Sequence, residues 1–178
     1  MINADVFFVF YIIIFGFIGT TRGWVREVIV TFAMMFALFI YSLPQFQNIM
    51  NPLINQQDPV WRMFWRAFPF VVITFFGYLS PAVARSRFDK GASNRFEYSL
   101  LSFMIGVFNG YVFFSALAYW ALNAGLLDGG QYANLFTPPA GGWNNFFFIK
   151  SAAPVIFSGS LLIFIVIIIF LFVIIVLV

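Results

Sequence analysis

The chain has no cysteine and no histidine in its 178 residues, and only 8% of its side chains are charged. The first two absences remove the usual ligands of zinc, haem, iron–sulfur clusters and copper. They also remove the commonest general base and every thiol nucleophile. No disulfide can form, so cysteine usage says nothing about the redox compartment. Polar surface is scarce as well, since a soluble domain carries about a quarter charged residues.

The bulk of the chain is apolar: 63% of its residues are hydrophobic and 22% aromatic, with 28 Phe, and the mean hydropathy is +0.98. A core of this size cannot hide that much apolar surface from water, so lipid is the expected solvent. Nine basic and six acidic residues give a net charge of +3. The basic residues are few and flank apolar runs, which fits the positive-inside bias of membrane proteins and not a phosphate-binding patch; no nucleic-acid partner is expected.

The pattern of runs predicts an all-α fold, a polytopic transmembrane helix bundle of about five spans. The first run, residues 6–18, is short for a span at roughly 1.5 Å per residue unless residues 19–22 prolong it. Asp5 precedes it where a signal peptide would be basic, so it reads as a retained helix. The second run, residues 28–43, follows closely and predicts a tight antiparallel hairpin that Pro44 closes. Residues 45–66 become amphipathic, with Asp58 and Arg62 spaced for an i, i+4 ion pair, Arg66 continuing that face, and Trp61, Phe64, Trp65 and Phe68 apolar. This predicts an interfacial helix leading into a third span over residues 69–84, kinked near Pro81. The fourth run covers residues 98–122.

Residues 1–127 thus read as a four-helix core and residues 128–153 as an extramembrane Gly/Pro/aromatic loop whose Trp143, Phe146, Phe147 and Phe148 touch the interface. Residues 154–178 read as an additional span, eighteen of whose residues run without a polar side chain. Arg22, Arg26, Arg85, Arg87, Lys90 and Arg95 follow helices one and three, against Arg62, Arg66 and Lys150 on the other side. That asymmetry places loops one and three in the cytoplasm, the N-terminus outside and the C-terminus inside.

Small residues recur at helical spacing. Gly16, Gly19 and Gly23 form one face of the first helix and its exit, and Ser99, Ser102, Gly106 and Gly110 form another on the fourth, beside Asn109. Such faces let backbones approach closely in lipid, so helices one and four are expected to touch; a glycine-lined solute passage is the functional alternative. Asn109, with Thr74 and Ser102 as weaker cases, either joins helices by an interhelical hydrogen bond or lines a pathway. No charged residue falls near the middle of an expected span, which argues against a proton-coupled transporter. Within Arg22-Gly23-Trp24-Val25-Arg26-Glu27, Arg22 and Arg26 are four apart and could share a face holding a lipid phosphate. Arg62 and Arg66 offer a second headgroup contact, and the plain alternative at the first site is an interfacial anchor built on Trp24.

Asp5 at the start of the first span, followed by this Arg22–Glu27 segment, resembles the RGfvRE signature of the colicin V production protein (CvpA) family. Gly106 and Gly110 match two glycines of that family's fourth helix. The likeness covers roughly residues 5–122. Ser102 stands where a glycine is usual, Asn109 where a basic residue is common, Glu97 only loosely meets an expected acidic residue, and residues 154–178 have no counterpart. The resemblance implies a bacterial plasma-membrane protein of colicin V export and envelope homeostasis, and it supplies no catalytic residues, metal or cofactor.

Two readings follow. One is a self-contained, non-enzymatic membrane protein acting in export or envelope maintenance, surrounded by membrane lipids and working alone or as a homo-oligomer. The other is an accessory subunit of a larger respiratory or photosynthetic assembly, contacting lipids, quinone or other membrane-protein subunits.

Overall fold

The computed structural model describes residues 2–79, 95–127, 136–139 and 141–177. Helix dominates them. The strand pair β1 (Ile2–Asn3) and β2 (Phe136–Thr137) is a two-residue parallel bridge that ties the N-terminus to the chain beyond the fourth long helix.

Helix α1 (Ala4–Arg22) is capped by Asn3, whose Oδ1 accepts from the Asp5 amide at 2.9 Å, satisfying one of the donors a helix start leaves open. Its 19 residues span about 28 Å, close to the roughly 30 Å of hydrocarbon, because the helix does continue through residues 19–22. Gly23 then turns the chain at φ 89°, a value that L side chains rarely adopt. Helix α2 (Trp24–Ser42) begins at once, four residues earlier than the apolar run suggested.

Pro44 ends α2 by forcing Leu43 into an extended conformation, and it then serves as the first residue of α3 (Pro44–Asn55). Helix α4 (Pro59–Leu79) absorbs both the expected interfacial helix and the start of the third span, running unbroken through Pro69. The Asp58–Arg62 ion pair is not made: the Arg62 Nε donates to the Gln57 carbonyl at 2.9 Å. Gln57 lies in the turn between α3 and α4, outside either helix, and the guanidinium takes its carbonyl. The Pro81 kink and the basic residues Arg85, Arg87 and Lys90 lie outside the described residues.

Helix α5 (Arg95–Asn123) has 29 residues and, at about 44 Å, exceeds the bilayer core. A 3₁₀ turn (Trp143–Asn145) and two short helices, α6 (Phe147–Lys150) and α7 (Ala153–Ile156), lead to α8 (Gly159–Leu177). The segment bends by 71° between α7 and α8.

Packing differs from a simple up-and-down hairpin. α1 lies mainly on α5, while α2 is the central helix, flanked by α4, α5 and α8, and the expected α1–α2 hairpin meets only sparingly. One core cluster gathers Met34, Met35 and Leu38 of α2 with Phe70, Val112, Trp120 and Leu162. A second joins Ala4 and Phe8 to Trp143, Phe146 and Ile149. Trp143 and Phe146, expected at the membrane interface, are therefore interior, Phe148 stacks on Phe8 with centroids 5.4 Å apart, and Phe147 alone of the four is exposed. The Ala153 amide donates to the Ser115 Oγ at 3.1 Å, and the Tyr111 hydroxyl donates to the Ser151 carbonyl, fastening this return segment to α5.

Among the described residues three helices, α1, α2 and α5, are long and apolar enough to cross a membrane, and a fourth span results if the bent 147–175 segment counts as one. α4 carries Arg62 and Arg66 in its first half and is described only as far as Leu79.

Candidate functional site

The glycine faces of α1 and α5 set the bundle's register. A Cβ placed on Gly106 would fall 3.1 Å from the Gly16 Cα and 3.2 Å from the Gly19 Cα, and one on Gly110 would fall 3.1 Å from the Ile12 Cα. The two backbones are thus in contact, with Ser102 of α5 buried against Gly19 and its hydroxyl donating to the Tyr98 carbonyl at 2.7 Å. Gly77 does the same work between α4 and α2, where its Cβ would fall 3.3 Å from the Val30 Cα. Close approach of this kind brings backbone dipoles and short polar side chains within reach of one another across helices.

At one end of this packing lies a buried polar cluster. The Gly23 corner brings Arg22, the last residue of α1, beside Glu27 in the first turn of α2, and Arg22 Nη1 donates to Glu27 Oε1 at 2.7 Å. The Glu27 side chain is 0% exposed. Its other oxygen, Oε2, accepts from Asn109 Nδ2 at 2.9 Å, and that same amide group also donates to the Glu27 main-chain carbonyl at 2.9 Å. Thr31, one turn further along α2, donates to Asn109 Oδ1 at 2.6 Å. Arg22 Nη2 meets the Tyr78 carbonyl of α4 at 2.9 Å, and the guanidinium carbon lies 4.3 Å from the centre of the Tyr78 ring. Four helices thus share one connected set of bonds in which both carboxylate oxygens and the Asn109 amide are engaged.

The electrostatics follow from position. A carboxylate shielded from water is costly unless paired and hydrogen-bonded, and Glu27 has both forms of support. It also sits in the first turn of α2, where the helix dipole favours negative charge. Two buried hydroxyls of α4, Thr74 Oγ1 and the Tyr78 OH, have no hydrogen-bond partner among the described residues. No group of three metal-ligating side chains occurs among the described residues.

The residues named from sequence are distributed unevenly over this site. Arg22 and Asn109 belong to it, while Arg22 and Arg26 fall on two helices separated by Gly23 and do not share a helix face. Trp24 packs on Phe172 of α8 with centroids 6.1 Å apart. Arg62 and Arg66 lie on α4, and Arg66 lines a separate cavity near the C-terminal end of α2. Glu27 is the residue that reading by hydropathy passed over, because the second span was begun at Val28. The signal was present in the spacing: Glu27, Thr31, Met34 and Leu38 follow one another at helical intervals and are all buried.

No family model, no curated protein and no solved structure matches this chain.

Proposed function

We propose that this chain is a non-enzymatic bacterial plasma-membrane protein resembling the colicin V production family, acting in export or envelope maintenance. In this reading it has about five spans, α1, α2, α4, α5 and α8, with the N-terminus outside and the C-terminus cytoplasmic. The observation that supports it is the use made of the Arg22–Glu27 segment, on which the resemblance rests. Its arginine, glycine and glutamate build the corner that ties α1, α2, α4 and α5 together. The bonding capacity of Glu27 and Asn109 goes into holding helices, so the cluster reads as architecture and not as a reaction centre.

A second reading, the accessory subunit of a larger membrane complex, is favoured by α8. Ile163, Phe164, Ile167, Ile168, Leu171 and Ile175 of that helix are exposed, and its main neighbour is α2. An outward face this long and apolar suits either lipid or the helix of another subunit.

Extraction from native membranes in a mild detergent, size separation and mass spectrometry discriminate the two. The export and envelope reading expects migration alone or as a small homo-oligomer, and a stoichiometric larger particle overturns it in favour of the subunit. Topology is separately accessible because the chain has no native cysteine. A Ser86→Cys variant should react with an impermeant maleimide only after the membrane is opened, and a Gln56→Cys variant should react in intact cells. The reverse labelling would invert the orientation.

A further inference from the structure

At the end of the bundle opposite Glu27, the C-terminal ends of α2 and α5, one face of α3 from Phe46 to Ile54, and Arg66 of α4 line a cavity of about 430 Å³. That lies within the range of roughly 300–1,000 Å³ typical of small-ligand sites. Arg66 supplies its charge, and Asn51 and Asn123 supply carboxamide donors. The floor is apolar and aromatic, with Met50, Ile54 and Trp120 buried.

Among the described residues no carboxylate pairs with Arg66. The turn that carries it is nevertheless fixed: the Tyr41 hydroxyl lies 3.2 Å from the Trp65 carbonyl oxygen and donates to the Arg66 carbonyl. A guanidinium carried on a fixed turn, bordered by amide donors and without a counter-ion among the described residues, is matched to a phosphate or carboxylate group.

A second cavity of about 270 Å³ adjoins the first and shares Tyr41, Gln47 and Trp120 with it as a common wall. Leu38, Pro154 and Phe157 make most of its remaining lining, and it borders the point where the chain bends by 71° between α7 and α8. Gln47, exposed at the rim, separates the charged cavity from the apolar one.

We propose that the two cavities together form a binding site for an anionic amphiphile, with its head on Arg66, Asn51 and Asn123 and its acyl chain beside Leu38, Trp120 and Phe157. Phospholipids and free fatty acids share this chemistry. The site requires only that the bundle be embedded in a bilayer, and it stands whether the protein acts alone or as a subunit.

The test uses the full chain in maltoside, with bound lipid counted by native mass spectrometry after titration with phosphatidylglycerol, phosphatidylcholine or oleate. The wild type should favour phosphatidylglycerol over phosphatidylcholine by about fivefold, the scale of one arginine at an anionic headgroup. Arg66→Gln should abolish that preference and Arg66→Lys should keep part of it. Ser158→Phe, at an exposed position lining the apolar cavity, should weaken both phospholipids alike and leave their ratio unchanged. Displacement of phosphatidylglycerol by equimolar oleate assigns the site to a fatty acid, and retention assigns it to a phospholipid; both support an anionic amphiphile. Equal binding of the two phospholipids by the wild type, or an unchanged preference in Arg66→Gln, overturns the proposal.

Discussion

Helices α5 and α8 are both long and strongly apolar, yet they are held in different ways. α5 carries Ser102, Gly106, Asn109, Gly110 and Ser115, and through them it touches α1 at backbone distance, bonds Glu27 of α2 and fastens the start of α7. α8 has no such residue beyond its first turn. It buries Leu162, sets Phe170 against Phe32 with centroids 5.9 Å apart, and turns most of its surface outward. Apolarity places a helix in the membrane, but lipid tails are as apolar as leucine and give helices no reason to adhere. Small residues and buried polar groups do.

The sharpest way to break this contrast is to remove the charge at the centre of the α5 contacts. Glu27→Ala leaves Arg22 without its counter-ion and Asn109 Nδ2 with one partner fewer, and should cost about 3–5 kcal/mol. Thermal unfolding in detergent reads this, and a melting curve like that of the wild type would show that the cluster is not holding the bundle. Gly106→Leu comes next. Its side chain would enter the backbone of α1 and should destabilise by about 1–3 kcal/mol, with the two helices forced apart. Spin labels on α1 and α5 would report an increased separation.

The hydrogen bond between Thr31 and Asn109 is a smaller effect. A double-mutant cycle with Thr31→Val and Asn109→Leu should give a coupling of about 0.6–1.7 kcal/mol, and additive losses would remove the bond from the account. At the other end of the scale, Ile168→Leu on α8, at a position 64% exposed, should stay within about 0.5 kcal/mol of wild type in detergent. A large loss there would mean that α8 is packed against something the isolated chain contains.

The α1–α5 glycine faces could be read from spacing, because a stripe of small residues at intervals of three and four has few uses in a membrane helix other than close packing. Asn109 could be read as an interior polar group for a similar reason. Glu27 was masked despite its helical spacing to Thr31, Met34 and Leu38, because a charged residue beside Arg22, Trp24 and Arg26 looks like part of an interfacial loop until the tight Gly23 corner is known. Trp143 and Phe146 misled in the opposite sense. Aromatic residues beside a Gly/Pro-rich stretch suit an interface equally well as an interior, and hydropathy weighs both alike. The Asp58–Arg62 spacing was favourable for an ion pair, but a carbonyl at the start of α4 was within reach of the guanidinium.

Composition and spacing alone made this an apolar helical chain, located α1, α2 and α5 to within a few residues, and marked the small-residue faces of α1 and α5. These properties depend on the composition of contiguous segments, and each segment records its own. Tertiary structure decided that Asn109 would meet Glu27 across 82 positions of chain, that α2 would be the central helix, and that Arg66 would face a cavity. Those outcomes depend on the rotation and register of one helix against another, which are set where Gly106 meets Gly16 and Gly19 and where Gly77 meets Val30. A one-dimensional pattern constrains such contacts only in pairs, and the whole set must be satisfied at once before any single partner is fixed.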